Sequence, residues 1–170
     1  NIEAASVMEI SVEAPDMADD RMALAFDPRF HDTTRLISDV VPGVLPYRGL
    51  NDLAQAIQTG THTSPALQRY VYDLCQIIRD PQDLKIEGAD TARLIRGGLS
   101  PRGMQYLVRA ARACAWAEGR DAVLPQDVRA VFLPVMAHRI FLTPAHEPRR
   151  DTLVPALIEA AFARVPVPAV

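Results

Sequence analysis

Two Ser-Pro dipeptides, Ser64-Pro65 and Ser100-Pro101, each open a run of apolar residues at helical spacing, and this repeated pattern most constrains the chain. A serine at the N-cap accepts a hydrogen bond from the first helical turn. A proline just after it loses nothing, because its missing N–H would have no partner there. After Pro65 the stripe is Leu67, Tyr70, Val71, Leu74 and Ile78, until Asp80-Pro81 ends it. After Pro101 it is Met104, Leu107, Val108, Ala111 and Ala115, with Gly119 as the stop and Trp116 expected as a packing anchor. A third helix starts at Pro125 with Val128, Val131, Phe132, Val135 and Met136 on one face. Leu124 is a poor capper for it, Pro134 predicts a kink, and His138-Arg139 ends it as a basic C-terminal cap. Shorter or less regular helices are expected over residues 51–59, capped by Asn51 or Asp52, and over residues 90–96. A last one, capped by Asp151 or Thr152, carries Val154, Leu157, Ile158, Ala161 and Phe162, and the Pro166 and Pro168 tail cannot continue it. These patterns predict a mainly α fold, a small helical bundle.

Upstream the period changes. Met8, Ile10, Val12 and Ala14 alternate with Glu9, Ser11 and Glu13, the pattern of a half-buried strand. One strand cannot stand alone, so it predicts that the chain is cut from something larger. A short helix opening at Pro15-Asp16 follows and stops at Asp27-Pro28. Residues 27–49, punctuated by Pro28, Pro42, Gly43, Pro46 and Gly49, read as a linker around a turn of helix near residues 34–40. The expected division is therefore 1–26, 27–49 and a helical domain over 50–170.

Composition narrows the function. With 49% hydrophobic and 23% charged residues, the chain supports a packed core. A net charge of −3, with arginines spread rather than clustered, disfavours nucleic acid as a partner. No apolar run is long enough for a membrane span, and the first ten residues lack signal-peptide features, so a cytoplasmic protein is expected. Cys75 and Cys114 read as buried free thiols. His31, His62, His138 and His146 share no metal-ligand spacing, so no metal site is expected. Lys85 is the only lysine and follows no glycine-rich loop, and GxSxG, HExxH and GxGxxG are all absent. Asp121 and Asp127, at helix starts, are read as satisfying backbone N–H groups. No complete catalytic apparatus is present.

One feature has chemical direction. Arg102 falls in the first turn of the helix that Ser100-Pro101 opens, after Gly97-Gly98. A helix N-terminus attracts anions through its free N–H groups and dipole, and a guanidinium there adds a fork for phosphate or carboxylate. The alternative is an ordinary solvated arginine at an ordinary helix start.

The segments IRDPQDLKIEGADTARLIRGGLSPRG, RAARACAWAEGRDAVLPQDV, AHRIFLTP and LIEAAFARVPVP, in this order, resemble the helical lid of MoxR-type AAA+ ATPases over most of residues 50–168. MEISVEAPDMADDRMAL is similar to the last strand of such an ATPase core and the helix after it. The resemblance implies that the P-loop, the magnesium-binding acidic pair and the arginine finger precede Asn1. This fragment would then be inactive alone, while the intact protein uses ATP and Mg2+. Gly98, Leu99, Ser100, Pro101 and Arg102 match the family's G-A-S-P-R segment, with Leu99 in place of alanine. The resemblance therefore implies that Arg102 is the sensor 2 residue, reaching the γ-phosphate, and Arg102, Ser100 and Gly98 are the expected cofactor-binding residues. It also implies a hexameric ring with core and neighbouring subunits as contacts, a partner with a von Willebrand A domain, and remodelling or maturation of client proteins. His138 and Arg139 match the family's His-Arg pair, for which capping is the reading here. Two other readings compete: a stand-alone helical protein-interaction module without nucleotide, and a DNA-binding helical domain over residues 100–139, which the acidic balance disfavours.

Overall fold

The computed structural model describes residues 47–169 and, upstream, residues 22, 26–28 and 37–38. The strand expected at residues 8–14, the helix after Asp16 and almost all of the linker lie outside the described residues. The chain divides into two compact units, residues 1–9 with 55–170, and residues 10–54.

Five helices are described: α1 (Tyr47–Gly60), α2 (Pro65–Arg79), α3 (Pro101–Ala117), α4 (Pro125–Met136) and α5 (Arg150–Arg164). Both Ser-Pro starts work as the sequence implies. Ser64 Oγ accepts from the Leu67 N–H and Ser100 Oγ from the Gly103 N–H, each at 3.2 Å. The apolar stripes of α2, α4 and α5 are buried as spaced, and on α3 Leu107, Ala111 and Ala115 are buried with Met104 and Val108 at the margin. The fold class is thus mainly α, with one small two-stranded sheet.

Four expectations are corrected. The first helix begins at Tyr47 rather than at a cap on Asn51 or Asp52, both of which lie within it; these residues prefer caps but cost little in a helix interior. Residues 90–96 do not form one helix. Asp90 caps a single 3-10 turn, Thr91–Arg93, and the chain then extends as β1 (Ile95–Gly97). Strand β2 (Phe141–Leu142) captures it antiparallel, pairing Ile95 with Leu142 and Gly97 with Phe141, a tertiary pairing invisible to local periodicity. The last helix starts at Arg150, ahead of both expected caps, and continues through Pro155. Trp116 is no packing anchor: it is 49% exposed, one residue past the buried Ala115 and so about 100° around the helix from it.

The core lies between these helices, with α3 packed along α4, and α2 against α5. Phe132 and Phe162 meet edge-to-face with centroids 5.2 Å apart, joining α4 to α5. Gly119, at φ +71°, adopts the left-handed conformation that closes α3. The turn after it is held by a parallel bridge to the α1–α2 loop. There the His62 N–H donates to Asp121 O (2.6 Å) and the Val123 N–H to His62 O (2.9 Å). Leu124 supplies no side-chain cap, and Asp127 replaces it by accepting from the Leu124 N–H at 2.8 Å. Cys75 is buried, and desolvation pushes its thiol up to about 12. Cys114 is only half-buried, so the expectation of two buried thiols holds for the first alone.

Candidate functional site

The three predicted site residues share one corner, at the entry to α3. Ser100 is extended (φ −83°, ψ 160°) and its side chain caps the helix, while its carbonyl accepts from the Met104 N–H at 3.2 Å. Arg102 is in the first turn and exposed, and among the described residues its side chain makes no hydrogen bond or ion pair. Gly98 passes so close to the end of α2 that an added Cβ would lie 2.8 Å from Arg79 Cγ and 3.1 Å from Arg79 Cα. Its role in the corner is close backbone approach. Leu99 between them is only 4% exposed and belongs to the core, so the loop is pinned by an apolar side chain on one side of the cap.

The other arginines sharpen the contrast. Arg120 forms a fork onto buried Asp127, at 2.6 and 2.7 Å. Arg150 donates to the carbonyls of Ile140 and Ala137, closing the end of α4, and Arg149 donates to Gly88 O at 2.9 Å. Arg112 reaches Thr63 Oγ1, Arg129 pairs with Glu159 and Arg69 with Asp73. Arg79 and Arg164 stand at helix C-terminal ends, Arg96 in a strand and Arg109 in mid-helix. Among the described residues, only Arg102 pairs an unengaged guanidinium with a capped helix N-terminus.

Sequence reasoning missed what lies beneath the corner. Arg139, in the 3-10 turn Ala137–Arg139 after α4, stacks its guanidinium on the Tyr106 ring at 5.1 Å and donates to Val135 O. That donation is the C-terminal cap expected of the basic pair. Burial, offset in part by Tyr106, holds the Arg139 pKa below the usual arginine value. No local signal in the sequence links positions 106 and 139. Two open grooves lie elsewhere. One of about 750 Å3 is lined by Arg96, Phe141 and Pro148, and one of about 500 Å3 by Val71, Val108 and Arg112; neither includes Gly98, Ser100 or Arg102. Among the described residues no group of histidines, cysteines or carboxylates could hold a metal ion, and no helix is long and apolar enough to cross a membrane. The corner thus presents one unengaged guanidinium at a side-chain-capped helix N-terminus.

Comparison with known proteins bears on the family. The AAA lid domain family matches residues 88–160, which include all of α3 and α4. Protein MoxR of Paracoccus denitrificans is 72% identical over 165 residues, covering 96% of this chain and 49% of that protein. The chain carries an AAA lid domain of the MoxR type. Protein MoxR of Methylorubrum extorquens is 49% identical over 95% of the chain and 48% of its own length, and Chaperone MoxR1 of Mycobacterium tuberculosis is 33% identical over 61% of the chain and 26% of its length. The chain therefore spans about half the length of the first two curated relatives. A crystal structure of a candidate ATPase from Cytophaga hutchinsonii shares the fold, with a TM-score of 0.67 and 23% identity over 96% of the chain and 47% of its own.

Proposed function

We propose that this chain couples ATP hydrolysis to remodelling or maturation of client proteins, with Arg102 as the sensor 2 arginine of an otherwise upstream active site. The reading rests on one observation: Arg102 is exposed at a side-chain-capped helix N-terminus and has no internal partner among the described residues. ATP with Mg2+, bound in the core, would supply the γ-phosphoryl group. Toward it the residues here offer a guanidinium fork, a Ser100 cap that fixes the turn, and Gly98, whose missing side chain lets the loop pass close to α2. They hold only this one side, so residues 1–26 are assigned to the trailing edge of the core, 27–49 to a hinge-bearing linker and 50–170 to the lid. Cytoplasmic rings, with core and neighbouring subunits as contacts and a von Willebrand A domain protein as partner, complete the assignment.

The decisive experiment is steady-state ATP hydrolysis by the natural, uninterrupted chain beside its Arg102→Ala variant. A charge-assisted hydrogen bond is worth about 1.5–3 kcal/mol, so turnover is expected to fall roughly 10- to 100-fold. Arg102 is solvent-exposed, so the thermal midpoint should stay unchanged. Unchanged turnover would remove the sensor role and leave a helical interaction module.

A further inference from the structure

The His138-Arg139 pair has so far served only as a helix cap, yet Arg139 touches the turn that carries Arg102. Its Cδ lies 3.3 Å from where a Cβ on Gly103 would stand, with Met136 Sδ 3.8 Å from the same point. Gly103 is buried, so the space under the first turn of α3 is already filled by the Arg139 stem. Further out, the guanidinium stacks on Tyr106, which lies four residues after Arg102 and hence on the same face of α3, one turn along. Its Nη1 donates to Val135 O at the end of α4 and sits against His138 Nε2. Gly103 N–H is also the group that Ser100 Oγ caps, at 3.2 Å. Two devices from different elements therefore converge on one turn: a cap from before the helix and a cationic stem from the neighbouring one.

We propose that Arg139 is a positioning residue: threaded between the end of α4 and the first turn of α3, it fixes the direction in which that turn presents Arg102. The inference rests on the sensor 2 reading of Arg102. A terminal helical turn frays readily, because its N–H groups lack intrahelical partners, and a frayed turn would let the guanidinium wander. The Arg139 stem supports the turn from below, its head is held on Tyr106 and Val135 O, and the absent Gly103 side chain leaves the stem its space. Misplacing a reacting or charge-stabilising group by about 1 Å can lower a rate as much as 100-fold, so such support has a kinetic consequence.

The test uses the uninterrupted chain and two readouts. The first, without nucleotide, is amide hydrogen exchange over the Pro101–Ala117 helix in wild type, Arg139→Met and Arg139→Lys. Methionine keeps an apolar stem but loses the hydrogen bond to Val135 O and the stacking on Tyr106 that hold the stem beneath Gly103. Exchange at Gly103 and Met104 is expected to rise severalfold in Arg139→Met and by less in Arg139→Lys, with the rest of the helix unchanged. The second is ATP turnover. Arg139→Met should lower kcat about tenfold with little change in KM, and should have no further effect in an Arg102→Ala background, because it acts through that residue. Gly103→Ala gives an independent variant: its Cβ would stand 3.3 Å from Arg139 Cδ and displace the stem, so kcat should fall with Arg139 itself intact. Unaltered exchange at Gly103 and Met104, or effects of Arg139→Met and Arg102→Ala that simply multiply, would overturn the positioning role. Faster local exchange in Arg139→Met with normal turnover in Arg102→Ala would instead overturn the sensor reading and leave the support of the turn standing.

Discussion

At the scale of single residues, the pair Arg120 and Asp127 shows how the lid tolerates a helix start without a proper cap. Asp127 is 2% exposed, accepts from the Leu124 N–H, and receives both nitrogens of the Arg120 fork. Burial alone would push its pKa up. The Arg120 hydrogen bonds, the Leu124 N–H and the Arg120 charge outweigh it, so the carboxyl ionises below the usual range. A carboxyl depressed in the folded state contributes stability that is complete above its unfolded pKa and is lost as pH falls through the folded one. Acid unfolding followed by circular dichroism should therefore show stability declining below about pH 4, and Asp127→Asn should flatten that decline. At neutral pH the same substitution is expected to lower the thermal midpoint by roughly 5–10 °C, since a helix cap is worth about 1 kcal/mol and the Arg120 fork loses its charge partner. That Asp127 would satisfy a backbone N–H was legible from its place in the first turn. Its bond to Arg120 was not, because seven residues and a turn separate the two.

Elements divide by how local their causes are. The stripes from Leu67 to Ile78, from Val128 to Met136 and from Val154 to Phe162 name the buried faces directly, since period and burial are the same geometric fact in a helix. The pairing of Ile95 with Leu142 spans two whole helices, and nothing in IRG or FL alone distinguishes strand from loop. Trp116 misled because size favours burial, whereas its angular position on α3 decided against it. In the candidate site, Arg102 and its Ser100 cap were readable from order along the chain, whereas Arg139 beneath them depends on how α3 meets α4. The loop between β1 and α3 depends on Leu99, which is 4% exposed at a position where the resembled family carries alanine. Leu99→Ala should cost about 2–4 kcal/mol in chemical denaturation, the usual range for a large-to-small change in a core. A cost near zero would mean that the loop is held by Gly98 and Ser100 alone.

For the whole molecule, the described residues present one unengaged guanidinium on a packed helical scaffold, in a chain that covers 49% of its Paracoccus relative. If the remainder supplies the phosphate cradle and neighbouring subunits complete a ring, sedimentation of the uninterrupted chain with a non-hydrolysable ATP analogue should shift to a closed oligomer. Arg102→Ala should still assemble, separating assembly from turnover. The two strands also have a mechanical meaning. Residues 95–97 before α3 and 141–142 after α4 are tied to each other, and at the opposite end the turn after Gly119 is bridged to His62. The helix pair is thus a beam clamped at both ends, roughly 25 Å long at 1.5 Å per residue over the 17 residues of α3. A clamped beam resists shear between its halves. The Arg102 end of α3 and the end where Trp116 meets solvent are thereby tied into one frame, through the strand pair at one end and the His62 bridge at the other.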